Sequence, residues 1–208
     1  TVVPPGGCTV DGASTTFQDD GVIEPSSPYG YVFTPSVIND LSAVEGEPIG
    51  PKTIYITHAR VTISFYDPAF ADVTTEAGLL EFQVPVSGAI EPNGGISGFS
   101  FEVVPPELLA AIGARLGTPM PPNLPRTALD VRVQMVGTRG GGEITSNVYR
   151  YPVEVCAGCV LVDRGACAAL PAGFVAQTGG ACNTLQDGAY ECCDNFTVCP
   201  ATPPEPQN

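Results

Sequence analysis

The cysteines of this 208-residue chain are unevenly distributed, and their distribution constrains the fold more than any other sequence feature. Seven of the eight lie between Cys156 and Cys199, the eighth is Cys8, and residues 9–155 contain none. An even number of cysteines, concentrated in a short segment, is typical of a disulfide framework formed in an oxidising compartment. The sequence therefore predicts a cysteine-free body followed by a disulfide-rich module at residues 156–199.

The pairing of the cysteines is only partly constrained, because eight cysteines allow about a hundred connectivities. Cys192 and Cys193 are adjacent, and Cα atoms about 3.8 Å apart are closer than a disulfide usually allows, so we expect the two to have different partners. Since seven is odd, one module cysteine is left to pair with Cys8. We expect disulfides to include every cysteine: Cys8, Cys156, Cys159, Cys167, Cys182, Cys192, Cys193 and Cys199.

Cys156 and Cys159 form a C-x2-C pair, which is also found in zinc sites and in redox proteins. The sequence lacks a second well-spaced pair, and its only histidine, His58, lies in the body. A thioredoxin-like site would need a βαβ context that the chain does not have. Structural disulfides are therefore the favoured interpretation, and we expect no metal and no cofactor.

The charge balance excludes several classes of partner. The chain has 22 acidic and 8 basic residues, a net charge of −14, and Lys52 is its single lysine. Such a chain repels phosphate backbones and lacks a polybasic patch for an anionic membrane, so we expect no nucleic-acid binding. No apolar run reaches the roughly 20 residues that a membrane-spanning helix needs.

Alternating apolar residues predict strands throughout the body. In the clearest run, Ala59, Val61, Ile63 and Phe65 alternate with polar residues. Just before this run the apolar residues occupy even instead of odd positions, and this change predicts a bulge near Thr57–His58. A second run begins at Leu80 and ends at Val86, with an edge position marked by Pro85. Further runs end at Val103, Met135 and Val155, and an early strand is predicted at Tyr31 and Phe33. The predicted core face comprises Val61, Ile63, Phe65, Phe82, Phe101, Val131, Val133 and Tyr151.

Two connections between these strands have clear local signals. The sequence predicts one short helix that ends before Gly117. Pro106 and Glu107 suit its first turn, and its apolar stripe comprises Leu108, Ile112 and Leu116. The segment 137–143 has three consecutive glycines, but no helix follows it and no GK[ST] motif is present, so a nucleotide-binding loop is disfavoured. We expect instead the turn of a long antiparallel hairpin.

This succession of strands, crossover helix and hairpin resembles an immunoglobulin-like or fibronectin-type-III-like domain over residues 28–155. The resemblance implies a mainly β fold, a Greek-key Ig-like β-sandwich, although the body lacks the cysteine pair and tryptophan of antibody domains. The predicted organisation is then an extended N-terminal arm (1–27), the sandwich (28–155), the disulfide-rich module (156–199) and a Pro-rich C-terminal arm (200–208). The resemblance carries no functional residues.

Catalytic and metal motifs are weak. The sole histidine, His58, lies on a strand, and no G-x-S-x-G motif is present, so we expect no catalytic residues. The acids Asp19, Asp20 and Glu24 cluster in one segment, and Asp187, Glu191 and Asp194 in another. Either set has the oxygen ligands that Ca²⁺ prefers, but neither has EF-hand spacing, and chance clusters are expected among 22 acids. Asp187, Glu191 and Asp194 are the weak calcium candidates.

The predicted function is that of a non-enzymatic structural or protein-interaction subunit, extracellular, periplasmic or on the cell surface. We expect a protein partner or self-assembly, with the Pro-rich arms 1–7 and 201–208 taking part in docking. The alternatives are a carbohydrate- or peptide-binding module that uses the sandwich loops, and a hydrolase or enzyme accessory domain. The chain is acidic, is rich in Gly and Pro, and contains more arginine than lysine. In this composition it is similar to bacterial surface proteins or lipoproteins. Because Thr1 is not an initiator methionine, a signal peptide or lipid anchor upstream of it is compatible with the sequence.

Overall fold

A computed structural model describes residues 18–42, 52–76, 78–118, 123–180 and 183–199. The fold is mainly β, with 47% of residues in strands and 13% in helices. Both predicted arms, apart from residues 18–27, and the cysteines Cys8 and Cys182 lie outside the described residues. None of the described helices is both long enough and apolar enough to cross a membrane.

The strands of the body precede those of the module in chain order. They are β1 (Gly21–Ile23), β2 (Tyr31–Phe33), β3 (Ser36–Asn39), β4 (Ile54–Phe65), β5 (Glu81–Ile90), β6 (Gly95–Gly98), β7 (Phe101–Val104), β8 (Arg126–Arg139), β9 (Gly142–Thr145), β10 (Tyr149–Cys156), β11 (Leu161–Asp163) and β12 (Tyr190–Cys192). The helices are α1 (Val73–Glu76) and α2 (Pro106–Leu116), and short 3-10 turns occupy Pro68–Phe70 and Cys167–Ala169.

The main sheet has the strand order β1-β10-β8-β4-β5, with β9 paired to the far end of β8, and it curls into a half-barrel. Its central pairs are antiparallel, whereas β1 runs parallel to β10. Strand β5 lies at the edge, as Pro85 predicts, because a proline cannot donate to a neighbouring strand. The register of β4 shifts between Ile56 and His58, which confirms the predicted bulge.

Two short antiparallel pairs, β2–β7 and β3–β6, complete the body. One buried core joins residues of these pairs and of α2 to the inner face of the main sheet, because alternate residues of β4, β8 and β10 point to the same side. Six of the eight predicted core residues are buried in this core, and the other two, Phe65 and Phe82, are partly buried and pack against it.

Helix α2 and the β8–β9 turn both form as predicted. The helix begins at Pro106 with Glu107 in its first turn, buries Leu108 and Ile112, and ends before Gly117, whose φ is 81°. The turn after Arg139 has Gly140 and Gly141 at φ values of 54° and 87°. Such left-handed values are expected in two-residue hairpin turns, and they explain why glycine occurs there.

Three features differ from the sequence-based expectations. Within the segment expected to be an extended arm, Gly21–Ile23 pairs with β10, so the body includes residues before 28. The helix α1 is an additional element that its short sequence did not predict. Leu80, expected to begin the β5 strand, precedes that strand and is exposed.

Candidate functional site

Within the described residues, three disulfides join six module cysteines: Cys156–Cys159, Cys167–Cys193 and Cys192–Cys199. The adjacent cysteines therefore have different partners, in agreement with the geometric expectation. The first bond closes a tight loop directly after β10, where Gly158 has a φ of 83°. The other two bonds join the adjacent pair Cys192 and Cys193 to one segment before it and one after it.

The C-x2-C pair is a disulfide and not a set of thiolate ligands. Among the described residues, two clusters bring three potential ligand atoms within 4.8 Å of one another: Glu154 with Cys156 and Cys159, and Asp194 with Cys167 and Cys193. In each cluster the two sulfurs are bonded to each other. Because the thiolate is the form of cysteine that binds a metal, the oxidised clusters do not supply such a site.

The weak calcium candidates Asp187, Glu191 and Asp194 do not form one site. Each carboxylate instead accepts hydrogen bonds from its own set of protein donors. Asp187 lies against the body, as described below. Glu191 is buried, pairs with the Arg164 guanidinium and accepts the N–H of Gln177 at 2.9 Å. The hydrogen bond from this backbone N–H is the larger cause, and the one from the guanidinium the second, of a lowered pKa of the Glu191 carboxyl. Asp194 accepts the N–H of Cys167 at 3.0 Å.

Asp187 belongs to a buried polar contact between module and body. Its Oδ1 accepts the N–H of Val22 and its Oδ2 the hydroxyl of Tyr31, both at 2.8 Å. The hydroxyls of Tyr31 and Tyr151 are also 2.8 Å apart, and since Tyr31 donates its one hydrogen to the carboxylate, Tyr151 donates to Tyr31. Burial, together with the nearby Asp187 charge, raises the pKa of Tyr31, and burial raises that of Tyr151 to about 12.

Two amide side chains of the module extend this contact. Gln186 accepts from the N–H of Val32 and donates to its carbonyl, and Asn183 donates to the carbonyl of Gly30 at 3.1 Å. Both amides are buried. The module is therefore fixed to β1 and β2 by hydrogen bonds as well as by the continuous chain.

Glu24, the only buried member of the other acidic cluster, has a structural role. Both of its carboxylate oxygens accept the N–H of Gly158, at 3.1 and 3.0 Å, and Oε2 also lies 3.4 Å from the N of Leu161. Burial raises the pKa of this carboxyl, while the backbone donors act in the opposite direction. Asp19 and Asp20 are exposed, so the three acids do not converge on one position. Glu24 anchors the loop closed by Cys156–Cys159.

The described part of the module has an open apolar cleft of about 210 Å³. Apolar side chains and cysteines form most of its lining, which comprises Leu170, Phe174, Ala176, Glu191, Cys192, Cys193, Val198 and Cys199. Beside the cleft, Val175 is 85% exposed, and Phe174, Phe196 and Val198 are also exposed. We call Leu170, Phe174, Val175, Ala176 and Val198 the module face. The sequence signal for it was a segment, 164–180, that contains no acidic residue.

His58 does not form a catalytic arrangement within the described residues. Its Nδ1 lies 3.1 Å from the hydroxyl of Thr57, and its Nε2 is buried without a hydrogen-bond partner in that part of the chain. A catalytic histidine usually needs a group that orients it and a nucleophile or substrate within hydrogen-bond reach. A neighbouring threonine at the bulge of β4 does not provide both.

Comparison with known proteins adds no family to these observations. No protein-family model matches the chain, and no curated protein matches it.

Proposed function

We propose that this protein is a non-enzymatic structural subunit that assembles through protein contacts, with the module face as the contact between copies. The observation that carries the proposal is a group of exposed apolar side chains beside a cleft on a disulfide-bonded frame. Of the large apolar residues exposed in the described chain, Phe174, Val175, Phe196 and Val198 lie in the module. Exposed apolar surface around a cleft commonly marks a protein-interaction site.

The rigidity of the frame favours such a role. Val198 lies next to Cys199, which is bonded to Cys192, and Phe174 lies in the segment between Cys167 and its partner Cys193. Backbone segments restrained by cross-links lose little additional conformational freedom on binding. The module face is thus suited to contact a partner without a large ordering cost.

Charge favours a second copy as the occupant. Two chains with a net charge of −14 repel one another, so contact is easiest where carboxylates are scarce. Residues 164–180 contain none, and the bordering Glu191 is neutralised by Arg164. An apolar face is also complementary to itself, as a two-fold symmetric contact requires.

We place the protein in an extracellular, periplasmic or cell-surface environment. Three disulfides among six described cysteines support this assignment, because such bonds persist in oxidising compartments.

We also propose that the body is an Ig-like Greek-key sandwich. The chain crosses between the main sheet and the short pairs at β1–β2, β3–β4, β5–β6 and β7–β8. A main sheet in the order β10-β8-β4-β5 corresponds to the G-F-C-C′ sheet of an immunoglobulin-like domain. The two pairs then form the second layer. An experimental structure in which the layers pack face to face at about 30° would support this assignment.

Sedimentation velocity over a range of protein concentrations tests the assembly proposal. We expect wild-type chains to self-associate and Val175→Asp to remain monomeric, because the substitution places a charge on the module face. The matched control is Val148→Asp, at another exposed valine, 55% exposed and located in the body. It should associate as the wild type does. A monomeric wild type, or equal effects of both substitutions, would contradict the proposal.

A second candidate function, carbohydrate binding, has one supporting observation. The ring of Tyr149 is 49% exposed and is backed by Phe33 and Tyr151, with centroids 5.8 and 6.3 Å away. An exposed ring supported by other rings offers a rigid apolar platform of the kind found in ligand sites. Binding to a glycan panel that is lost in Tyr149→Ala would favour this alternative.

A further inference from the structure

The outer face of the main sheet carries an arginine cluster in an otherwise acidic chain. Arg132 on β8 lies directly opposite Arg150 on β10, and Arg60 on β4 lies opposite Gln134, two residues further along β8. Paired residues of neighbouring strands project on the same side of a sheet, so the three side chains share one face. These are three of only eight basic residues in the whole chain.

A buried carboxylate holds two of these arginines in fixed positions. Asp130 is 4% exposed and accepts from Nε of Arg132 at 2.9 Å and from Nε and Nη2 of Arg150 at 3.0 and 2.9 Å. Burial would raise the pKa of Asp130, but the hydrogen bonds from Arg150 and Arg132 outweigh it and hold the pKa below its usual value. Asp130 therefore stays ionised and keeps both guanidinium groups oriented.

The arginines nevertheless remain open to a ligand. The side chains of Arg132 and Arg150 are 48% and 59% exposed. Asp130 occupies two nitrogens of each guanidinium, and the Tyr66 side chain also hydrogen-bonds Arg150. Because a guanidinium has five N–H donors, each arginine keeps N–H groups that Asp130 does not use. Arg60 is held separately: its Nη1 donates to Oε1 of Gln134 at 3.3 Å, and Nε2 of Gln134 donates to the carbonyl of Ser146.

The charge on this face contrasts with the rest of the molecule. Three guanidinium groups lie beside one buried carboxylate, Asp130. The face has two further acids on its main strands: Glu81, on the edge strand opposite Thr62, and Glu154 on β10, which pairs with Arg126. The overall charge of −14 would repel a long polyanion such as a nucleic acid. A short segment with a few carboxylates would feel mainly the local positive charge, because salt screens charges beyond about 8–10 Å.

We propose that this face binds an extended protein segment with acidic residues at alternate positions. Directly opposite residues are about 5 Å apart at Cβ, and diagonal neighbours such as Arg60 and Arg132 about 7–8 Å. Side chains at positions i and i+2 of an extended peptide project on one side about 6.6–6.8 Å apart. Alternating carboxylates therefore match the spacing of the arginines, and arginine binds carboxylates in a planar, two-bond geometry. The inference rests on the proposed function only in taking the ligand to be a protein segment, and it concerns a different surface from the module face.

The test is fluorescence anisotropy with labelled synthetic peptides. The probe is a seven-residue peptide in which Glu alternates with Thr, compared with a peptide of the same composition whose three Glu residues are consecutive. The full-length chain should bind the alternating peptide more tightly. Because charge-assisted hydrogen bonds are strong, Arg60→Gln should weaken that binding about tenfold, whereas Arg126→Gln should change it less than about twofold.

These two variants are matched. Both remove one exposed arginine charge, but Arg126 pairs with Glu154 at the start of β8, outside the cluster. Neither residue contacts Asp130, so the buried carboxylate keeps its partners in both variants. Arg150→Lys, which keeps the charge but loses the two-bond geometry, should also weaken binding.

Three results would overturn the inference: equal binding of the two peptides, equal effects of Arg60→Gln and Arg126→Gln, or displacement of the peptide by inorganic phosphate at the same concentration of charge. A variant of the module face, Val198→Asp, separates this inference from the proposed function. It should bind the alternating peptide normally even if the module face turns out not to mediate assembly, and loss of binding would show that the peptide sits on the module.

Discussion

The side chain of Gln186 hydrogen-bonds both backbone groups of Val32: Oε1 accepts its N–H at 2.9 Å and Nε2 donates to its carbonyl at 2.7 Å. A module side chain thus takes the place of a neighbouring strand for one residue of β2. Both residues are buried, so water does not replace these bonds. The contact explains how a small module with few apolar residues in its interior stays fixed to the body.

Replacing Gln186 with Leu should therefore destabilise the protein. The substitution leaves a buried N–H and a buried carbonyl without partners, at about 1–3 kcal/mol each, so we expect a loss of roughly 2–6 kcal/mol in the free energy of unfolding. Chemical denaturation measures it. The control is Gln177→Leu, because the Gln177 side chain is exposed, and its effect should be near zero. Equal stability of Gln186→Leu and wild type would contradict the role given to this contact.

The buried tyrosines predict a loss of stability at alkaline pH. The pKa of Tyr151 is raised to about 12 and that of Tyr31 is also raised, whereas an unfolded tyrosine titrates near about 10. A folded pKa above the unfolded one means that the stabilisation is complete below pH about 10 and is lost as the pH rises further.

Spectrophotometric titration should detect Tyr31 and Tyr151 as late-titrating groups. We expect Tyr31 and Tyr151 to ionise only as the protein unfolds, and Tyr31→Phe to reduce the number of such late-titrating groups and weaken the alkaline dependence of stability. Titration of all tyrosines near pH 10 in the folded protein would show that the hydroxyls are accessible.

The cysteines should all be oxidised. Six are paired in the described structure, which leaves Cys8 and Cys182 to pair with each other. Alkylation before reduction followed by intact-mass analysis should detect no free thiol, and non-reducing peptide mapping should find a peptide containing Cys8 linked to one containing Cys182. Labelled thiols, bound zinc, or a different partner for Cys8 would contradict this pairing.

Local patterns were sufficient to predict most of the body. Strict alternation placed Val61, Ile63, Val131 and Val133 in the core, and the change of parity at His58 located the bulge. Each of these signals is contained in a few consecutive residues, so it can be read from the sequence alone. The pairing of β1 with β10 was missed, because a three-residue strand is too short to show a period.

The contact surfaces depended on tertiary structure. The acids Asp187 and Glu191 were grouped as calcium candidates by their proximity in sequence, whereas the fold directs them to Tyr31 and Arg164. Likewise, Arg60 and Arg132 are 72 residues apart in sequence, and only the strand register brings them to one face. The spacing of residues along the chain does not predict such contacts when the residues are separated by long stretches of chain.

The most direct test of the central claim, assembly through the module face, is hydrogen–deuterium exchange at high and low protein concentration. We predict that backbone amides in 164–180 and 194–199 exchange more slowly at high concentration, and that this difference disappears in Val175→Asp. Slower exchange confined to β3 and β6, where Ile38 and Ile96 are exposed, would place the contact elsewhere. Identical exchange at both concentrations would contradict assembly through this face.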